Sequence, residues 1–457
     1  MLISIALPVA FQNLLATSAS MVDTIMLASL GSDVVGAVGL CAQFTSLMLG
    51  CYWGFVGGGM LFMAQNWGAR DDDGVCRSFG ATLTCMTTVG VIFGFLAVVL
   101  PGTVIRLYTD KSDLWPIGEA YLRIIGWTFP IQVANVAISA LLRSTERVKL
   151  PLAASIVSLA TNMLVNYVLI FGKLGFEAMG VAGAAWGTVA SSVVNFAMLL
   201  IVGKVTKHPH LLRVRAHFRW SKKFLKQYFV KCFPIICNEL LAGVGLMIVN
   251  IVLGRQSKDA IAALAVFRSY EGFCISFFSG FTNAASVLVG KEVGAGHHQL
   301  AYIRAKRLVF LTPCVVACAC AIFLCFNAPF LHAMSLEGEA FRLGQKMLFI
   351  FSGFAVIRYT NWILNDSYRS AGDPSIGTIL EISFLYLMVI PLVCLTGLKP
   401  DVPFIAVFIC MLVDEPIRVV IMLRHLISGK WVRPVTDEGL KTIGEFRELH
   451  HIKLRGE

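Results

Sequence analysis

The sequence predicts an all-α membrane protein of about twelve transmembrane helices, arranged as two pseudo-symmetric six-helix lobes. Three observations carry this: the apolar composition, a series of apolar runs each long enough to cross a bilayer, and a self-similarity at one fixed offset. Of 457 residues, 57% are hydrophobic and 14% are charged, whereas soluble chains average about 25% charged residues. The polar residues are too few to cover a core of that size in water. A span needs about 20 apolar residues, and polar or Gly/Pro punctuation divides this chain into runs of that length.

The runs predict helices near 2–30, 33–66, 76–100, 117–142, 150–172 and 179–203, which form an N-lobe over 1–203. A basic connector follows at 204–228, marked by "RVRAHFRWSKKFLKQ" (213–227). Helices near 229–254, 259–290, 303–327, 339–365, 374–397 and 402–427 form a C-lobe over 229–427. The remainder, 428–457, reads as a polar cytoplasmic tail. Barrel strands would alternate in pieces of roughly 10 residues, and these runs are longer and evenly apolar.

Twelve spans place the connectors 66–77, 143–149, 204–231, 291–307 and the tail on one side. That side holds roughly 26 of the Lys and Arg residues against about 8 on the other, which predicts cytoplasmic termini. The net charge of +11 is then a matter of topology and anionic headgroups, and no nucleic-acid partner is expected. The basic connector reads first as a topology anchor. The chain enters an apolar run at once, "MLISIALPVAFQNLL", without a basic leader. A cleaved signal peptide is not expected, and residues preceding the first helix are expected to be missing. The 13 cysteines lie mostly inside apolar runs, where cysteine acts as a small hydrophobe. They imply neither disulfides nor a metal site.

The self-similarity sets the lobes. Pro8 and Pro234, Asp33 and Asp259, Gly68-Ala69 and Gly294-Ala295, and Arg143-Ser144 and Arg369-Ser370 all stand 226 residues apart. An even number of spans per half makes this a parallel repeat, a plan used by transporters. Duplication kept for packing alone is the plain alternative.

Several motifs then resemble the multidrug and toxic compound extrusion (MATE) family, DinF-like branch. The first helix carries Pro8, Gln12 and "VDTIMLASLG" (22–31), and the second ends in "NWGARDDDG" (66–74). The run "NMLVNYVLIFGKLGFEAMGVAGAAWGTVAS" (162–191) is the most specific match. The second half adds "FPIICNELL" (233–241), "EGFCISFFSGFTNAASVLVGKEVGAG" (271–296) and "YRSAGDPSIG" (368–377). The resemblance covers nearly the whole chain. It implies an antiporter, not an enzyme, that exports organic, cationic or amphipathic compounds by alternating access, against inward Na⁺ or H⁺. It also implies a bacterial plasma membrane, function as a monomer, a small-molecule substrate and the lipid bilayer as partners, and no cofactor beyond the coupling ion. A flippase for lipid-linked saccharides, from the same wider superfamily, is the alternative. Such flippases tend to line their cavity with Arg and Lys, whereas acids are at least as prominent here.

Ionisable residues inside spans are costly and are functional candidates by default. Asp23 lies deep in the first helix and matches the family's first-helix aspartate. There it would bind Na⁺, the only metal the sequence suggests, or take a proton. Its plain alternative is a hydrogen bond to a neighbouring helix. Asn162 and Asn166, four apart, share a helix face and match the family's fifth-helix polar pair. Asn166 stands where some members have an aspartate, which weakens a two-acid relay. Thr188 matches a sixth-helix threonine able to add an oxygen. For these three, hydrogen bonding between helices is the competing reading. Glu239, Glu271 and Gln12 are expected at the substrate cavity or a second titratable site. Arg268, three residues before Glu271, is at helical pairing distance. Some relatives carry an aspartate in the tenth helix, where this chain offers Arg358 and Asn361. Pro8 and Pro234 are expected to bend the first helix of each lobe for gating, or simply for packing. Gly57-Gly58-Gly59 reads as close packing and His297-His298 as a turn. Trp53 and Trp127 are candidates to line a drug cavity, against the plainer reading of lipid-facing or core. No HExxH, GxSxG or GxxxxGK[ST] run occurs.

Overall fold

The computed structural model describes residues 2–206, 208–334, 336–399 and 401–452. It is helical, without strands among those residues. Helix α1 (Leu2–Ala28) contains Pro8, α2 spans Ser32–Gly68, and α3 (Asp72–Val99) starts at Asp71, whose side chain accepts from the Gly74 amide at 2.8 Å. A carboxylate at this place satisfies an amide that the helix leaves open. Helix α4 (Pro101–Tyr108) is short. The fourth span comprises α5 (Trp115–Ile125), a 3₁₀ turn (Gly126–Thr128) and α6 (Phe129–Ser144). Pro130 lacks the amide needed to carry the ladder through this turn. Helix α7 (Lys149–Phe171) stops at Gly172, whose φ of 64° suits glycine, and α8 is Val181–Val205.

The connector folds as α9 (Pro209–Leu212) and α10 (Val214–His217). Helix α11 (Lys222–Leu253) contains Pro234, and α12 (Lys258–Gly294) is capped by Ser257. Then come α13 (His298–Cys325), α14 (Asn327–Ala333) and α15 (Gly338–Ser370). The eleventh span joins α16 (Ser375–Phe384) and α17 (Ile390–Gly397) through a π-turn at Leu385–Val389, next to Pro391. The twelfth is broken into α18 (Phe404–Cys410) and α19 (Asp414–Ser428). Eleven described spans are thus long and apolar enough to cross a membrane. The twelfth expected span exists in two pieces.

The chain divides into two compact units. One comprises Leu7–Met63 and Asp71–Cys232, the other Met1–Ala6, Ala64–Arg70 and Phe233–Glu457. In the first, Gly58 packs on the Cys232 side chain and Gly59 on Thr82, so these two glycines serve close packing. Outward positions are apolar: Trp127 is 70% exposed and Phe95 59%, as lipid-facing side chains should be. Hydroxyls on buried faces return their protons to the preceding turn, as Thr82 does to Ser78 O at 2.8 Å.

In the second unit the repeat landmarks acquire a reason. Gly68 lies against the backbone carbonyl of Lys291, and Gly294 lies against that of Gln65. Residues 65 and 291 are themselves 226 apart, so the contact is reciprocal, and a Cβ at either glycine would collide with backbone. Asp33 in the first unit and Asp259 in the second each sit in the first turn of a helix, α2 and α12, where a negative charge is favoured by the helix dipole.

The tail is more than a polar extension. Trp431 is fully buried, its indole N–H donates to Leu426 O at 3.0 Å, and Ile443 and Phe446 of α20 (Asp437–Leu449) are buried too. Arg433 N donates to Ala371 O at 2.9 Å, Val435 N to Gln65 Oε1 at 2.8 Å, and Thr436 Oγ1 to Gly294 O at 2.8 Å. His298 joins this contact by bonding Gly439 O at 2.9 Å, while His297 lies 3.1 Å from Glu292. The tail therefore ties together the ends of α2, α12 and α15.

Candidate functional site

In the first unit, α1, α7 and α8 bring a polar group together inside apolar helices. Asn166 is fully buried and Asn162 nearly so, while Asp23 remains partly exposed. Asn166 Nδ2 donates to Asp23 Oδ1 at 2.6 Å and lies 3.4 Å from Asn162 Oδ1. The four-residue spacing on α7 places both amides on one face, and Gly187 of α8 leaves the room that Asn166 occupies. Asn166 Oδ1 is buried without a partner. Buried polar atoms are nearly always paired; this oxygen instead packs against the α8 backbone at Gly187. Thr188 Oγ1 returns its proton to Ala184 O at 3.2 Å and shares a hydrogen bond with Tyr121 of α5. Asp23, Asn162 and Asn166 are thus assembled, whereas the side chain of Thr188 is bonded back to its own helix at Ala184 O. Tyr121 gave no signal in the sequence, being one aromatic in an apolar run. Carboxylate and amide oxygens in one place suit a hard cation or a proton.

Gln12 of α1 is also bonded across helices. Its Nε2 donates to Ser155 Oγ at 3.1 Å, and its Oε1 accepts from Arg143 Nη2 at 2.8 Å.

In the second unit, Glu271 is enclosed. Arg268 Nη1 lies 2.7 Å from it, Arg358 Nη1 bonds its other oxygen, and its side chain is 8% exposed. Arg358 also reaches Glu415 at 3.3 Å, and Asn361 Nδ2 donates to Glu415 Oε2 at 2.6 Å. Glu415 and the Asp414–Arg418 pair, 3.0 Å apart, stand where the twelfth span is broken. Arg358 and Asn361, which replace the expected tenth-helix aspartate, thus hold acids from α12 and α19. Glu239 lacks a partner on its own helix, yet Arg369 of α15 comes within 3.7 Å of it and within 3.9 Å of Asp366. Asn238 Nδ2 donates to Glu381 Oε2 at 3.1 Å. Arg369 and Glu381 escaped the sequence reading as site residues, although Arg369 was already a repeat landmark.

Pro8 and Pro234 lie inside α1 and α11, and Thr378 Oγ1 approaches the Pro234 carbonyl at 3.3 Å. Among the described residues no three His, Cys, Asp or Glu side chains cluster as metal ligands.

Two repeated six-span halves with polar groups inside the membrane define a polytopic transporter. The MatE family model matches residues 8–168 and again 234–395, two copies whose starts are 226 apart, and the chain belongs to the MatE family of efflux transporters. It is similar to the uncharacterized transporter YisQ of Bacillus subtilis, 22% identical over 90% of both chains. A probable multidrug resistance protein NorM of Thermotoga maritima is 24% identical over 97% of this chain and 96% of its own. Among solved structures, a MATE crystal structure in the bent conformation matches with a TM-score of 0.84 at 16% identity, covering 99% of this chain and 96% of its own. An outward-facing multidrug resistance MATE transporter of the MOP superfamily gives 0.83 at 17% identity, covering 94% and 96%. Both support the fold. The matches do not single out a DinF-like branch.

Proposed function

We propose that this chain is a cation-coupled antiporter that exports organic, cationic or amphipathic compounds by alternating access. The observation that carries the reading is the Asp23–Asn166–Asn162 group: an intramembrane carboxylate held by one amide, beside a buried amide oxygen with no partner. Leaving such groups inside lipid costs free energy, and H⁺ or Na⁺ binding is the function that would maintain them. The multidrug names of NorM and related proteins support the substrate class. Charge asymmetry supports cytoplasmic termini in a bacterial plasma membrane, and a single chain holds both halves, which supports a working monomer. Glu271, enclosed by two arginines, acts as a structural ion pair, and Glu239 remains the titratable candidate of the second unit. Pro8 and Pro234 act as the bends through which gating runs.

Proteoliposomes loaded with ethidium test this. An imposed inward H⁺ or Na⁺ gradient is expected to drive efflux in wild type and to lose that effect in Asp23→Asn. Gradient-independent ethidium flux in wild type would overturn the antiport reading.

A further inference from the structure

The 226-residue repeat lets each unit be read against the other, residue by residue. Gln12, Arg143 and Ser155 correspond to Asn238, Arg369 and Glu381. The two triads are built alike. Gln12 Nε2 donates to Ser155 Oγ at 3.1 Å, as Asn238 Nδ2 donates to Glu381 Oε2 at 3.1 Å. Each arginine closes the end of the corresponding helix, α6 or α15, and the Nε of each is buried without a partner.

Their charges differ. Arg369 has Glu239 at 3.7 Å and Asp366 at 3.9 Å, with Glu381 bonded to the adjacent Asn238. The positions that correspond to these three acids are Asn13, Ala140 and Ser155, all neutral. Arg143 therefore makes no ion pair among the described residues, and its side-chain bond goes to the neutral Gln12 at 2.8 Å. The group is not sealed: Gln12, Arg143 and Ser155 are all partly exposed. A guanidinium held by packing, missing its carboxylates and still reachable, offers the planar donor fork that an oxyanion fits.

We propose that Arg143, with Gln12 and Ser155, is an oxyanion-binding subsite that takes the carboxylate of a transported amphipathic compound. The proposal rests on the exporter reading above and refines its substrate class. Asp23 and its amides hold the coupling cation, and Arg143 holds an anionic group of the cargo. Ser155 supplies the hydroxyl that orients Gln12, and Gln12 aims the guanidinium.

The test uses the full chain purified in neutral detergent. Two rhodamine dyes of the same aromatic body are compared by fluorescence polarisation, one with a free carboxylate and one with that carboxylate methylated. Wild type is expected to bind the acid about ten-fold tighter than the ester, the size of one charge-assisted hydrogen bond. Arg143→Gln is expected to bring the ratio to about one while ester affinity holds within about two-fold, and Arg143→Lys to restore part of it. Ser155→Glu keeps the arginine and supplies the acid that the other unit has at Glu381. It too is expected to abolish the preference, by pairing Arg143 internally. Phosphatidylglycerol added to the micelles is expected to leave the preference intact; displacement of the acid dye alone would assign the oxyanion to a lipid headgroup and overturn the cargo assignment. A wild type that binds acid and ester alike would overturn the subsite and leave the exporter reading standing. A wild type that binds neither dye would overturn both.

Discussion

Replacing Asn166 by Leu should cost more than replacing it and Asp23 together. The Asn166 Nδ2 to Asp23 Oδ1 bond is 2.6 Å long, and hydrogen bonds to charged groups contribute roughly 1.5–3 kcal/mol. Asn166→Leu removes the donor and leaves the carboxylate among apolar helices, so the full desolvation cost appears. Asp23→Ala is milder, because Asn166 still has Asn162 Oδ1 at 3.4 Å. The double variant leaves neither group stranded. A double-mutant cycle should therefore give a coupling of about 1.5–3 kcal/mol. A change of 1 kcal/mol shifts Tm by about 2–4 °C at 150–250 residues and by proportionally less in a longer chain. Asn166→Leu should thus lower Tm by a few degrees, and adding Asp23→Ala should recover most of the loss. Scanning fluorimetry in detergent measures all four proteins. Additive single losses would refute the claim that the two side chains act as one unit.

Further outcomes follow from the same geometry. Trp431→Ala should release the tail: truncating a fully buried tryptophan costs about 3–5 kcal/mol, whereas Trp431→Phe should cost only about 1 kcal/mol for the bond to Leu426 O. Trypsin cleavage within 430–447, followed by mass spectrometry, separates the two. Glu271→Gln should destabilise the second unit by several kcal/mol, because Arg268 and Arg358 lose their shared acid; the check is Tm in the variant, with Glu271→Gln/Arg268→Met recovering part of the loss, since Arg358 keeps Glu415. In the connector, burial pushes the His208 imidazole down to about 4, with the positive charges of His210 and Arg147 acting the same way. A depressed folded value means that the unfolded connector binds the proton first. The contribution of His208 is therefore intact above about pH 6.5, is lost as pH falls toward 4, and should be flattened by His208→Gln. Protease sensitivity of the connector between pH 7 and 5 reads this out.

The spans were legible because lipid demands about 20 apolar residues each, and that demand dominates local composition. Eleven of the expected runs coincide with single spans to within several residues, the seventh starting earlier, at Lys222 inside the stretch read as connector, and the twelfth is split into α18 and α19. The Asp23–Asn166 pairing was legible in part: helical spacing gives the shared face of Asn162 and Asn166, while resemblance supplies the partner on α1. Tyr121 was not legible, since nothing local distinguishes an aromatic that meets Thr188 from one that meets lipid. The break at residues 411–413 was hidden because 402–427 is apolar on average, and Asp414, Glu415 and Arg418 find partners only after folding. The tail misled in the same way. Its charged residues gave a polar average, yet Trp431, Ile443 and Phe446 face inward. The Arg268–Glu271 pair was legible from its three-residue spacing, but the partner of Glu239 and the second partner of Glu271 come from α15, about 130 and 90 residues further on, a separation that periodicity does not bridge.

The most direct test of the central claim, that cation and cargo are linked through Asp23, is the affinity of a fluorescent cation measured at several Na⁺ concentrations and pH values. Antiport requires each ligand to weaken the other by the same factor. Wild type should bind ethidium progressively more weakly as Na⁺ or H⁺ rises, and Asp23→Asn should bind it with an affinity that no longer responds to the coupling ion. An affinity independent of both ions in wild type, or a response that persists unchanged in Asp23→Asn, would contradict the account.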